Sequence, residues 1–362
     1  MNFLDQFRDP SLVSALKSEI EREVHANRIY TFMEVCGTHT MSFFKYGIRS
    51  ILPNNINLLS GPGCPVCVTP VEFIDTAIEI SKMNDTIITT FGDMLKVPGT
   101  KENLYKLRSE GYDIRYVYSP IDAVKIAQES PSKQVVFIAV GFETTSPTTA
   151  SSIIFANKKK IDNFFVLCGH KTMPNAMSAL AGSGDLMLDG FICPPHVSAI
   201  TGTQIYDFLA IDYGKACVVG GFEPTDLLQT ILMLIKQVNQ GKACVENQYS
   251  RVVNISGNKK AQDISASVFE ACDSVWRGLG IIPQSGLEIS ERFSRIDAFN
   301  KFNVNLAKSF DNPACLCGEV LAGRKIPTDC SLFAKQCNPE DPKGACMVSS
   351  EGTCAAHYKY NN

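Results

Sequence analysis

Two cysteines three positions apart, Cys64-Pro65-Val66-Cys67, lie within SGPGCPVCVTPVEF at residues 60–73. That spacing suits a disulfide, half of a metal clip, or a working pair of thiols. A structural zinc site would need a second pair of ligands at matching spacing, and the neighbouring segments offer none. The surrounding glycines and prolines predict an exposed loop, and Thr69-Pro70-Val71-Glu72 reads as a capping box with proline at the first helical position. Cys67 then falls near the positive end of a helix, where a thiolate is stabilised. The expectation is a reactive dithiol in which Cys67 is the more acidic thiol.

Cys36-Gly37-Thr38-His39-Thr40 puts an imidazole three residues after a thiol in a glycine turn. The pattern serves thiolate formation by a nearby base or joint ligation of a metal. Its plain alternative is a half-buried cysteine in a turn. In the tail, Cys315, Cys330, Cys337 and Cys354 give C-x14-C-x6-C-x16-C, with Cys317 and Cys346 besides. Zinc knuckles pair their cysteines more closely, so four thiolates on an iron–sulfur cluster are favoured; spacing alone leaves open which four of the six.

The elements that must carry these residues follow a regular pattern. From residue 30, short β-branched or aromatic runs recur, each followed by Gly/Pro punctuation and a helical stretch: YTFMEV, NINLLS, TIITTF, IRYVY, QVVFIAV, NFFVLC, DGFIC and ACVVG. Alternation of this kind predicts βαβ units and mostly parallel sheets. Ligands bind such sheets beyond the carboxyl ends of the strands. Cys36, His39, Cys64, Cys67, Asp93, Glu143, His170 and His196 all fall there, and can converge on one cleft. For a single Glu or His in such a place, capping a helix is the commoner role. Ser119-Pro120 and Ser146-Pro147 repeat the cap-plus-proline pattern. Gly141-Phe142-Glu143 echoes Gly221-Phe222-Glu223, suggesting a duplicated architecture. Before the strands, Leu12, Leu16, Ile20 and Val24 form the stripe of an amphipathic helix over 11–26. After about residue 311 periodicity fades. That segment holds six of the fourteen cysteines, and has too few apolar residues to fold without a cross-link or a metal.

Composition narrows the class of function. The chain has 362 residues, 45% of them hydrophobic, enough for two or three domains. With 34 basic and 37 acidic residues and a net charge of -3, it carries no electrostatic footprint for nucleic acid. No apolar run is long enough to span a bilayer, and MNFLDQFRDP does not read as a secretion signal. A cytoplasmic protein is expected, in which the cysteines serve metal or redox chemistry rather than structural disulfides. No phosphate-binding P-loop and no G-x-G-x-x-G opening a helix is present.

MEVCGTHT, GPGCPVCVTP, GFETTSPTTA, FICPPHVSAITG, GGFEPTD and the tail CLCG…C…C…GACMVSSEGTC resemble the HypD family of NiFe-hydrogenase maturation proteins, from about residue 12 to the end. The resemblance implies a redox-active scaffold on which, with the small chaperone HypC, an iron atom acquires two cyanides and one carbon monoxide before passing to the hydrogenase large subunit. HypE would supply cyanide from a thiocyanate on its own C-terminal cysteine. By the same resemblance Cys36, with His39 beside it, and the dithiol Cys64 and Cys67 form the iron site. Cys315, Cys330, Cys337 and Cys354 would hold a 4Fe-4S cluster, and Cys317 and Cys346 a second thiol pair near it. Asp93 and Glu143 are weaker candidates for the same cleft. The implied fold has α/β domains at 28–131 and 132–290, and a cluster domain at 291–362 joined by the N-terminal helix region 1–27. A general thiol–disulfide reductase, using the cluster and dithiol without bound iron, is the competing function; Cys36-Gly-Thr-His39, which a reductase does not require, discriminates between the two. A zinc-stabilised adaptor is a third.

Overall fold

The computed structural model describes residues 5–306 and 308–360; residues 1–4, 307, 361 and 362 of the expected domain ranges lie outside the described residues. In chain order the strands are β1 (Tyr30–Glu34), β2 (Ile56–Ser60), β3 (Thr86–Thr90), β4 (Ile114–Tyr116), β5 (Gln134–Gly141), β6 (Phe164–His170), β7 (Gly190–Cys193), β8 (Ala216–Val219), β9 (Val245–Asn247), β10 (Phe269–Trp276) and β11 (Gly280–Ile289). The eight apolar runs read from the sequence are β1 to β8. Sequence reading missed β9 and the hairpin of β10 and β11.

Two parallel sheets carry the fold. One has the order β2-β1-β7-β8-β9, the other β4-β3-β5-β6, and β10 pairs with β11 antiparallel. After Gln134, β5 is apolar and buried to its end because it is an interior strand covered on both faces. β1 is central to the first sheet: Tyr30 and Phe32 face one core, while Met33 and Val35 face another. The chain is thus α/β with mostly parallel sheets.

The sheets do not follow the boundary expected at 131/132. β3, before it, pairs with β5, after it, so β4, β3, β5 and β6 form one sheet. β1 instead stands between β2 and β7, a strand over 120 residues later in the chain. A parallel strand needs a crossover, and nothing in a strand's own sequence says which sheet its crossover returns to.

Three apolar clusters hold the layers. One lies between the sheets and runs on into the tail, joining Met33, Val35, Val136, Phe191 and Trp276 to Cys317, Leu321, Ala345 and Cys346. The second backs the β3–β6 sheet, and the third covers the outer face of the β1 sheet. The N-terminal helix, Pro10–Glu23, belongs to this third cluster. It packs on the Pro224–Gln240 helix, with Ile20 fully buried and Leu16 and Val24 beside it, rather than on the cysteine-rich segment. Leu12, read as part of the stripe, is 49% exposed. The region after 291 also divides: Ala298–Phe302 packs on β6, where Phe302 meets Phe165 edge-on, and the cysteine-rich fold begins only beyond it.

Candidate functional site

Cys36 follows β1 and is the N-cap of the Gly37–Lys45 helix. Its thiol is buried at 6% exposure and pushed up to about 12, first by that burial and then by the charge of Glu351; the backbone N–H groups of His39 and Thr38 oppose the rise. A metal bound here would have to displace the proton. Gly63 lets the dithiol segment lie directly on this turn. Its carbonyl accepts from Gly37 N at 3.1 Å, and a Cβ on Gly63 would overlap the Cys36 backbone.

Cys64 and Cys67 are joined as a disulfide with Cα atoms 5.3 Å apart. Two expectations change here. The pair is buried, Cys64 at 3% and Cys67 at 0%, because the glycines and prolines serve close packing rather than exposure. The nearer helix end also belongs to Cys64: it caps the short Pro65–Val68 helix, and its Sγ accepts from Cys67 N at 3.2 Å. Thr69 ends that helix, donating through Oγ1 to Pro65 O at 2.8 Å, and makes no capping box. The next helix, Val71–Ser81, has Pro70 at its cap. Ser119 does cap Pro120–Glu129 by position, whereas Ser146 is already helical and Thr145 precedes it as the cap.

Glu351, which sequence reading did not single out, organises the mouth of the site. It arrives from the tail, where a Cβ on Gly37 would overlap it, and accepts from Thr38 Oγ1 at 2.5 Å. Its charge reaches Cys36, Asp93 and His196. Residues from the carboxyl ends of both sheets therefore meet at a carboxylate supplied by the tail. Asp93, on the Gly92–Lys96 turn after β3, is held above the ordinary carboxylate range by desolvation and then by Glu351. The only hint of Glu351 in the sequence is an acidic residue beside a glycine among the last cysteines.

His39 is buried and turned back toward the first sheet. Its Nε2 lies 3.0 Å from Gly220 O and 3.1 Å from Gly221 O, which places the proton on Nε2 and leaves Nδ1 as a lone pair with no protein partner. Burial lowers it to about 4, so it is neutral. Phe222 stands between His39 and His196, with ring centroids 5.0 and 4.6 Å away. Glu143 Oε1 accepts from Met173 N at 2.8 Å while the buried Oε2 has no partner, and burial raises the carboxyl to about 7. His170 sits apart, with Nδ1 3.3 Å from Gly141 O and Nε2 3.0 Å from Thr149 Oγ1. Glu223 is structural: it forms the capping box of Pro224–Gln240 and pairs with Arg8 at 2.5 Å.

The tail closes over the helix that Cys36 caps, its Thr353–Tyr360 helix packing on Gly37–Lys45. Cys315, Cys317, Cys330, Cys337, Cys346 and Cys354 line one cavity with Leu316, Phe333 and Met347. Cys317 Sγ lies 2.8 Å from Cys346 Sγ. The Pro65–Val68 helix packs against the Cys317–Leu321 and Ala345–Val348 helices, and Cys67 Sγ is 3.9 Å from Ala345 O. The Cys64–Cys67 disulfide and then a six-cysteine cavity that includes the Cys317/Cys346 pair thus follow from the Cys36 turn inward.

A family model described as the hydrogenase formation hypA family, HypD, matches residues 11–361. The chain belongs to the HypD family. It is 46% identical to hydrogenase maturation factor HypD2 of Bradyrhizobium diazoefficiens and to hydrogenase maturation factor HypD of Cupriavidus necator, covering 99% of this chain and 97% of each relative. It is 45% identical to hydrogenase maturation factor HypD of Escherichia coli, over 99% of this chain and 98% of the relative. The cysteine cavity of this HypD-family chain offers thiols alone, with no His or carboxylate on its wall. Backbone amides also face a sulfur, as when Lys343 N donates to Cys337 Sγ at 3.3 Å. That donor set fits an iron–sulfur cluster. Among the described residues no three His, Cys, Asp or Glu side chains are placed to grip a single metal ion. No helix among them is long and apolar enough to cross a membrane.

Proposed function

We propose that this hydrogenase maturation factor is a redox-active scaffold for the Fe(CN)2CO group of the NiFe-hydrogenase active site, working with a HypC-type chaperone and a HypE-type cyanide donor. The observation that carries the reading is the Cys36 turn lying on the Cys64/Cys67 segment through Gly63, with that segment packed on the helices of Cys317 and Cys346.

The iron is cargo. Cys36 is its principal ligand, a soft thiolate suited to iron bearing strong-field carbon ligands, with Cys64 and Cys67 at the same place. Glu351 and Asp93, at the mouth, receive the proton that Cys36 gives up as iron binds. His39, neutral, keeps the turn in place through its bond to the first sheet. Cyanide transfer from a thiocyanate breaks the S–C bond and restores a thiol; the two electrons come from the Cys64/Cys67 dithiol, which becomes the disulfide, one of its protons going to the restored thiol and the other to solvent while the cyanide passes to the cargo iron. Cys317 and Cys346, a second dithiol behind the first, restore it. Cys315, Cys330, Cys337 and Cys354 would hold a 4Fe-4S cluster, which when bound supplies electrons one at a time. Twelve of the fourteen cysteines are free thiols, which suits a reducing cytoplasm.

The test is infrared spectroscopy on protein purified anaerobically with its small chaperone. Cyanide and carbonyl stretching bands are expected in the parent and lost in Cys36→Ala, with the visible absorbance of the cluster unchanged. Bands that survive in Cys36→Ala remove Cys36 from the iron site. A parent without bands that still reduces protein disulfides would support the general reductase instead.

A further inference from the structure

The tip of the β10–β11 hairpin lies against the helices that carry both thiol pairs. Arg277, at that tip, is 5% exposed. Its backbone N–H donates to Val68 O at 2.9 Å and its Nε to Thr69 O at 2.9 Å, so it closes the carboxyl end of the Pro65–Val68 helix. Nη1 is ion-paired with Asp311, at the entry to the cysteine-rich segment, and Nη2 is buried with no hydrogen-bond partner. Gly278, the next residue, has φ +80°, and a Cβ there would overlap the backbone of Gly318, the neighbour of Cys317. One hairpin turn therefore touches the end of the first dithiol's helix and the start of the Cys317–Leu321 helix.

We propose that Arg277 is a positioning residue for thiol–disulfide exchange between Cys64/Cys67 and Cys317/Cys346, its guanidinium and the Gly278–Gly318 contact setting the separation of the two pairs. The inference rests on the redox reading above. In the exchange, the Cys346 thiolate attacks Cys67 Sγ, the Cys64–Cys67 bond breaks, and its electron pair leaves on Cys64. The Cys317 thiolate then attacks Cys346 Sγ and frees Cys67. Two electrons pass from one pair to the other, and the two protons lost by Cys317 and Cys346 are taken up by Cys64 and Cys67. Such an attack tolerates little misplacement of the sulfurs. Burying a cation with one unpaired N–H is unfavourable beside an apolar residue of similar volume, so what the arginine adds is geometry. Its planar fork makes several contacts in fixed directions, which a lysine cannot reproduce.

The experiment uses the full chain, handled anaerobically, carrying Cys64→Ser and Cys317→Ser so that Cys67 and Cys346 remain as single members of their pairs. Diamide, a two-electron thiol oxidant, joins them, and mass spectrometry of non-reduced peptides times the bond. With Arg277 present the Cys67–Cys346 bond forms. Arg277→Met is expected to slow it about tenfold or more, with Arg277→Lys between the two. Circular dichroism and thermal melting establish that each variant is folded, and if Arg277→Met is not, the lysine variant decides. A folded variant that matches the parent rate overturns the role of Arg277 and leaves the exchange reading standing. If the bond does not form even with Arg277 in place, the exchange reading falls and the proposal with it.

Discussion

His170 shows how a residue at a strand end acquires a structural duty with a measurable sign. Burial holds its imidazole down at about 4, against an ordinary value of 6.5. The folded protein keeps it neutral while the unfolded chain takes up a proton as pH falls below 6.5. Its contribution is therefore complete above about pH 6.5, declines as pH drops, and is gone near pH 4. At about 1.4 kcal/mol per pH unit, the parent is expected to lose roughly 3 kcal/mol relative to His170→Gln across that window. Urea unfolding of both proteins at pH 7 and near pH 4 measures it; parallel curves would mean that the ring is not held neutral. At the same scale, the sequence located the thiols but misjudged their surroundings. Cys64-Pro-Val-Cys67 was legible as a dithiol, yet its burial, and the helix end that falls to Cys64, depend on Gly63 meeting Cys36 from another strand. Glu351 was not legible, because a carboxylate far along the chain acquires meaning only when the tail folds back onto Thr38.

Among elements, the joint between the Cys36 turn and the dithiol segment is one of the closest backbone approaches. Gly63→Ala would drive a methyl group into the Cys36 backbone. A loss of about 2 kcal/mol or more is expected by chemical denaturation, because neither segment can move without disturbing the cores beneath it. The variant's Cys36 is also expected to alkylate faster than the parent's. A wild-type melting curve would show that the two segments give way easily. The N-terminal helix supplies a contrasting case. Ile20, fully buried, anchors Pro10–Glu23 on the far side of the first sheet from the cysteines. Ile20→Ala is expected to cost about 2–5 kcal/mol of stability. Cluster absorbance at a temperature where the variant stays folded should be unchanged. Loss of the cluster in the folded variant would instead tie this helix to the tail.

For the whole molecule, the tail is both the candidate cluster site and the cover of the Cys36 turn. On the proposal that the tail holds a cluster, extracting its iron and sulfide with ferricyanide and a chelator should loosen residues 312–360 first, since a bound cluster would contribute to the folding of so apolar-poor a segment. Limited proteolysis is expected to cut there before anywhere in the two sheets, and alkylation of Cys36 to accelerate as Glu351 withdraws. A tail equally resistant without metal would show that packing alone holds it. The sequence by itself determined the local facts. Apolar runs broken by Gly and Pro specify eight strands and the helices between them, because period and punctuation are properties of neighbouring residues. The long cysteine motifs specify the family, and with it a hydrogenase maturation factor. Only the tertiary structure decided that β1 joins β7 while β3 joins β5, that the N-terminal helix lies against the first sheet, and that Glu351 and Arg277 stand at the thiols. Those choices are made by which buried faces fit one another across long separations, and no window of the sequence contains both partners.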